Sequence, residues 1–207
     1  MSDCDATRLT RKRPVRPSDA ASLVLVRHEG GAVSVLMGQR SAQHRFMPRA
    51  LVFPGGRVDA RDRSAPAPVV PGLPAGFAAT ALRETREETG LVAGADVPLA
   101  YLCRLVTPPW MPIRFDARFL VAPAEAFSGT LGGSGELELL RWVPLEEAFA
   151  LDLAQPTRVV LDELVAWLAL DPAQRAVHVP GCWRHRAGVL RREPPGQFAS
   201  RKVSEPS

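Results

Sequence analysis

Nine consecutive residues concentrate the chemistry of this chain: Arg83-Glu84-Thr85-Arg86-Glu87-Glu88-Thr89-Gly90-Leu91. Their Ala, Leu, Glu and Arg content favours a helix, and on a helix Glu84, Glu87 and Glu88 stand at i, i+3 and i+4 on one face. Three carboxylates on adjacent turns repel one another by about 0.2–0.5 kcal/mol per pair even when solvated. They ask for a counter-charge. Arg83, one turn before Glu87, supplies part of it, and a hard divalent cation, which takes oxygen ligands, would supply the rest. The opposite face carries Ala78, Leu82, Thr85 and Thr89, a small and mostly apolar surface suited to packing on a sheet.

Two glycines precede this helix, in Phe53-Pro54-Gly55-Gly56. The pair reads either as an ordinary turn or as a place where backbone closes on a ligand. Arg57, Asp59, Arg61, Asp62 and Arg63 follow directly and set charges of both signs beside this permissive loop.

The elements that must position these residues can be read in order. Ala20 to Val26 predicts a buried strand and Ala32 to Met37 a second, with Glu29-Gly30-Gly31 as the turn. A short strand at Ala50 to Phe53 leads into the glycines. Residues 64–76 hold four prolines and two glycines and predict a loop. The helix then runs from Phe77 to Thr89 and stops at Gly90, which suits the left-handed position after a helix end. Strands follow at Ala100 to Val106 and Arg118 to Ala122, separated by the Thr107-Pro108-Pro109-Trp110-Met111-Pro112 corner. The glycine-rich segment Gly129 to Gly135 delivers Glu136 and Glu138 to a strand ending near Trp142-Val143-Pro144. Helical periodicity takes over at Leu145 to Leu151 and Thr157 to Ala169, with Thr157 as N-cap. A last hairpin is expected from Val177 to Val179 and Ala187 to Leu190.

Composition narrows the class. A chain of 207 residues, 46% hydrophobic, can bury one core. It has no run of 18 apolar residues and no apolar N-terminal leader, so a cytoplasmic protein without a membrane segment is expected. The three cysteines, Cys4, Cys103 and Cys182, are odd in number and widely spaced, which suggests neither a disulfide framework nor a zinc site. The four histidines show no ligand spacing. The net charge of +4 sits in the tails: residues 1–16 contribute +3 and residues 191–207 contribute +2, so subtracting five leaves −1 for the body. A nucleic-acid partner is therefore not expected, since such proteins carry their basic footprint on the fold itself.

At Gly56, Arg83, Glu84, Glu87, Glu88 and Gly90 the sequence resembles the signature of the Nudix hydrolases: Gly, five residues, Glu, seven residues, then Arg-Glu-apolar-x-Glu-Glu-x-Gly-apolar. The second half matches almost letter for letter. In the first half Asp62 stands where the family has Glu, twenty residues instead of seven separate it from Arg83, and Thr85 replaces an apolar residue. The runs Arg40-Ser41, Phe46 to Phe53 and Gly55 to Ser64, with Arg114-Phe115-Asp116, resemble the branch containing peroxisomal acyl-CoA diphosphatases, which also carries an insertion inside the motif.

The resemblance implies an α+β fold: an α/β/α sandwich with a central mixed sheet and a loop-helix-loop motif. It implies one domain over 20–190 between disordered tails at 1–19 and 191–207, with 64–76 as a Pro-rich insertion. It further implies magnesium- or manganese-dependent hydrolysis of a small-molecule diphosphate, coenzyme A or acyl-CoA favoured, and an expectation of a homodimer. A different diphosphate, or a module that binds a nucleotide without cleaving it, stays open. Carried over residue by residue, Glu87 and Glu88 bind metal with the carbonyl of Gly55. Glu84 binds a further metal or orients the water, and Arg83 holds the glutamates. The family draws its general base from the helix or from a later loop, and Glu136 is the loop candidate, with Glu138 behind it. Arg40, Arg49, Arg57 and Arg114 are candidate phosphate contacts, because guanidinium forks match phosphate oxygens. Trp110 and Phe115 either stack on an adenine, cover an acyl or pantetheine arm, or belong to the core.

Overall fold

The structure, a computed structural model, describes residues 15–43 and 47–194. Of the disordered tails expected at 1–19 and 191–207, residues 1–14 and 195–207 lie outside the described residues, while the last strand, Val189–Glu193, runs into the second. Strand β1 (Ser18–Glu29) turns into β2 (Ala32–Arg40) through Gly30 and Gly31. Both have positive φ, 59° and 83°, as a two-residue hairpin turn of this hand requires. Glu29 thus belongs to the strand, paired with Ala32, and not to the turn. Strand β1 also begins inside the segment expected to be disordered. Its polar start is held on both edges, by β4 (Gly55–Arg57) and by β7 (Phe115–Pro123), with Ser18 N–H donating to Arg114 O at 2.9 Å.

The remaining strands of the main sheet are β3 (Leu51–Val52), β6 (Ala100–Val106), β9 (Leu137–Pro144), β10 (Gly181–Arg186) and β11 (Val189–Glu193). The order is β11-β10-β6-β7-β1-β2-β3, with β4 also on β1 and β9 also on β2. The β1–β7 and β10–β6 pairs are parallel and the others antiparallel, so the sheet is mixed. A separate two-stranded ribbon joins β5 (Val92–Ala93) to β8 (Phe127–Ser128).

Both faces are covered. Helix α1 (Phe77–Thr89) presses Phe77, Ala78 and Ala81 onto Ala21, Leu23, Leu25, Leu36 and Leu120. On the other face α2 (Leu145–Ala150) and α3 (Gln155–Leu168) pack Ala148, Val160, Leu161 and Leu164 onto Val24, Val26, Val35, Met37 and Val143. Successive residues of β1 feed opposite layers, which is why it reads as an unbroken apolar run. Each fully buried leucine contributes about 1.5–3 kcal/mol of transfer free energy. This is the α/β/α sandwich that the motif implies.

Two expectations near the C-terminus are corrected. The cap of α3 is Ala154, with Pro156 in the first turn; Thr157 lies inside the helix and donates its hydroxyl to Leu51 O at 3.1 Å, tying α3 to β3. The last hairpin is β10–β11 of residues 181–193, reached through α4 (Pro172–Ala176), while Val177 and Val179 stay exposed. Its position is set by parallel pairing to β6 and by Glu163 of α3, whose Oε1 accepts from Trp183 Nε1 and Arg192 Nε, both at 2.9 Å. No described helix is long and apolar enough to cross a membrane.

Candidate active site

Helix α1 has the predicted bounds, and Gly90 (φ 77°) closes it, its N–H reaching Arg86 O at 2.9 Å. Thr85 and Thr89 are fully buried, yet unsatisfied hydroxyls are avoided: Thr85 Oγ1 donates to Ala81 O at 2.7 Å and Thr89 Oγ1 to Thr85 O at 2.6 Å. A threonine can therefore stand where the family pattern has an apolar residue.

The three glutamates do not share one environment. At about 100° per residue, Glu87 and Glu88 point a quarter-turn apart. Glu88 is buried at 6% exposure and Glu84 nearly so, whereas the Glu87 side chain is 47% exposed. The single charged face expected from spacing thus divides into an inward pair and an outward residue.

Arg83 binds two of them, Glu84 and Glu87, from behind. Its Nη1 donates to Glu84 Oε1 at 2.8 Å and to Glu87 Oε2 at 3.0 Å, while Nε and Nη2 form a fork on Asp62, both at 2.9 Å. Asp62 is 2% exposed, at the centre of a short 3₁₀ turn over Arg61–Arg63. It also accepts from Asp59 N and from Thr80 Oγ1, at 2.9 and 2.8 Å. The Arg83 hydrogen bonds hold its carboxyl well below the ordinary carboxylate range, against the opposing effect of burial. Asp62 thus completes a carboxylate–guanidinium–carboxylate chain that fixes the rotamer of Glu84. Thr80, which sequence reasoning missed, belongs to the same chain; a hydroxyl one helical turn before Arg83 was its only signal.

Glu84 and Glu88 open onto a cavity of about 480 Å³. Gly55 N–H donates to Glu88 Oε2 at 2.7 Å. A Cβ on Gly56 would lie 2.5 Å from the Glu84 carboxyl carbon, so the second glycine is needed for close approach. Burial pushes Glu88 up to about 8, with Glu84 and Glu136 adding to the rise and the Gly55 N–H and Arg40 opposing it. Burial likewise raises Glu84, against Arg83. Arg40, Arg57, Phe115 and Glu136 line the same cavity, and the Arg57 guanidinium lies 5.5 Å from the Phe115 ring centroid. The rest of the lining is largely apolar, including Met47, Phe53, Leu105, Ile113 and Phe119.

Other candidates lie elsewhere. Arg114 gives its Nη2 to Thr107 O at 3.2 Å and its Nη1 to Val15 O at 2.6 Å, bracing the corner loop. Arg49 is exposed and off the cavity lining, as is Glu138. Trp110 is 60% exposed and meets the His185 ring edge-on, 5.4 Å between centroids. Glu87 is turned to Arg83 and, at 3.6 Å, to Arg61. Among the described residues no three carboxylate, imidazole or thiol groups already form a closed metal-ligand set. The inward pair nonetheless fits a hard cation chemically: all its donors are oxygens, and two buried carboxylates repel in its absence.

A family model described as the NUDIX domain matches residues 16–168, so the chain belongs to the Nudix family. It is an enzyme of that family, a hydrolase acting on pyrophosphate bonds. A Nudix hydrolase from Alicyclobacillus acidocaldarius is 28% identical, covers 73% of this chain and 92% of its own, and superposes with a TM-score of 0.60. Two more distant structures share the fold. The Nudix domain of Shewanella oneidensis NrtR, solved with ADP-ribose, is 18% identical over 75% of this chain and 90% of that one, TM-score 0.56. An Ap4A hydrolase from C. elegans is 23% identical over 73% and 98%, TM-score 0.51. Comparison with curated protein sequences gave no match.

Proposed function

We propose that this protein hydrolyses the diphosphate of a nucleoside-diphosphate-linked substrate of the coenzyme A or acyl-CoA type, as the motif's resemblance to the acyl-CoA diphosphatase branch suggests. The observation that carries the proposal is the double character of one cavity. Arg40 and Arg57 supply positive charge for a diphosphate, Glu84, Glu88 and Glu136 supply oxygen donors for a cation and a proton acceptor, and Leu105, Ile113, Phe115, Phe119 and Met47 supply apolar surface for an acyl or pantetheine arm.

In this reading Glu84, Glu88 and the carbonyl of Gly55 hold Mg²⁺ or Mn²⁺. A cation held there would supply stabilisation of the phosphate oxygens and of the charge that grows on the leaving phosphate. Glu87, on the outer side, serves mainly to share Arg83. Arg40 and Arg57 hold phosphate oxygens, and Phe115, steadied by Arg57, lies along the attached group. Glu136 takes the proton of the attacking water. Asp62, one methylene shorter than the family's Glu, holds Arg83 through a fork of two hydrogen bonds.

The test is a panel of CoA, acyl-CoA, ADP-ribose, NADH and diadenosine polyphosphates incubated with Mg²⁺ or Mn²⁺. Faster release of a phosphopantetheine and a nucleoside bisphosphate from CoA or acyl-CoA than of mononucleotide from the others supports the proposal. Preference for ADP-ribose or a dinucleotide moves the enzyme to another substrate class.

A further inference from the structure

We propose that the glycine-rich segment Gly129–Gly135 is a strap that docks on the end of α1 and positions Glu136, with Gly133 as the residue that lets it close. The proposal rests on the reading of Glu136 as the proton acceptor.

The last carbonyls of any helix lack partners within it. Here the strap supplies them: Ser134 N–H donates to Glu87 O at 3.0 Å and Gly132 N–H to Thr89 O at 2.9 Å. The contact is backbone on backbone. A Cβ on Gly133 would lie 2.5 Å from the carbonyl carbon of Glu88, and one on Gly129 would lie 2.6 Å from Gly90 O. Gly132 differs from its neighbour, because a Cβ there would meet nothing within 4 Å.

Beyond the strap the chain is caught again. Glu136 O accepts from Ser41 N–H at 3.3 Å, and Leu137 pairs with Arg40. Glu136 is thereby stretched between the helix that carries Glu84 and Glu88 and the strand that carries Arg40, and all four side chains line one cavity. The same turn of α1 thus presents the Glu88 carboxylate to the cavity and its backbone to the strap. An ångström of displacement at a reacting group costs about 100-fold in rate, so a strap lifted by a methyl group should be felt in kcat.

The experiment compares Gly133→Ala, Gly132→Ala, Glu136→Gln and the Gly133→Ala/Glu136→Gln double variant on the best substrate of the panel, together with Mn²⁺ titration of each. Gly133→Ala should lose about 100-fold in kcat, with KM and Mn²⁺ affinity within about twofold. Gly132→Ala, which keeps its N–H, should match the wild type. The double variant should be no slower than Glu136→Gln, because a residue acting through another adds nothing once that other is gone. A wild-type kcat in Gly133→Ala overturns the strap, as does a loss that multiplies with that of Glu136→Gln or a weakened Mn²⁺ site. If Glu136→Gln itself keeps full activity, the reading of Glu136 fails instead. Should Gly133→Ala not fold, two glycines inserted between Gly135 and Glu136 leave the docked backbone untouched: a loss matching Glu136→Gln supports the strap, and full activity overturns it.

Discussion

Replacing Asp62 by Asn tests whether the acid beneath the helix holds the site together. The carboxylate accepts four hydrogen bonds: two from Arg83, one from Thr80 and one from the Asp59 backbone. An asparagine oxygen in the Oδ2 position keeps three of these, but its amide nitrogen then faces Arg83 Nε, donor against donor. Removing one partner of a buried ion pair costs about 3–5 kcal/mol. Arg83 retains Glu84 and Glu87, so the loss should fall near the lower end, about 3 kcal/mol, or roughly 6–12 °C in Tm for a domain of this size. The pH dependence gives a second reading. The native pKa of Asp62 is depressed, so its contribution is complete above the unfolded value near 4 and is lost as pH falls through the native one. The Tm gap between wild type and Asp62→Asn, followed by thermal denaturation from pH 7 to 3, should be full at neutral pH and narrow below about pH 4. A gap under about 2 °C at pH 7, or one that persists unchanged into acid, would refute the role given to Asp62.

Glu88→Gln should cut kcat by about 10²–10³-fold yet be at least as stable as the wild type in EDTA at pH 9. Burial raises the native pKa of Glu88, so the wild type loses stability as pH rises from its unfolded value toward about 8, a loss glutamine escapes; denaturant titrations at pH 5 and 9 measure it. Metal binding should release a proton below pH 8, with Mn²⁺ affinity rising as pH approaches about 8; calorimetry in two buffers of different ionisation enthalpy reads this directly, and no proton release would contradict it. Gly56→Ala should lower kcat by displacing the Glu84 carboxylate while shifting Tm little, because its φ is not in the left-handed region; a fully active variant would show that Glu84 need not lie against Gly56.

What could be read from sequence was what local periodicity controls. Helix α1 was legible to the residue, because an amphipathic pattern, a preceding Pro-Gly loop and a following Gly90 all agree on its limits. Spacing alone could not tell which glutamate faces inward, since a wide helical face includes both the buried Glu88 and the exposed Glu87. Asp62 stands at the acid position of the motif by its spacing from Gly56, but its role depends on the twenty residues between it and Arg83 folding back. They do so because Val70, 5% exposed, anchors the proline-rich loop in the core beside Phe77 and Ala81. The final hairpin is not legible locally because Trp183-Arg184-His185-Arg186 alternates poorly, and its strands are specified by β6 and Glu163, more than seventy and about twenty positions away. Arg114 illustrates the same limit: its type suited phosphate, and its neighbours Thr107 and Val15 took it first.

The parallel pairings of the sheet also set a timetable for synthesis. Once residues 18–57 have emerged, β1 has β2 and β4, but its other edge waits for β7 at residues 115–123; β6 in turn waits for β10 at 181–186. At roughly 5–20 residues per second, the Leu23-Val24-Leu25 edge spends on the order of 5–20 s without its partner. Closing such long loops is slow, and an open apolar edge invites pairing with other chains. Nascent chains of this protein should therefore depend on chaperone binding during that interval, and slower translation should lengthen it.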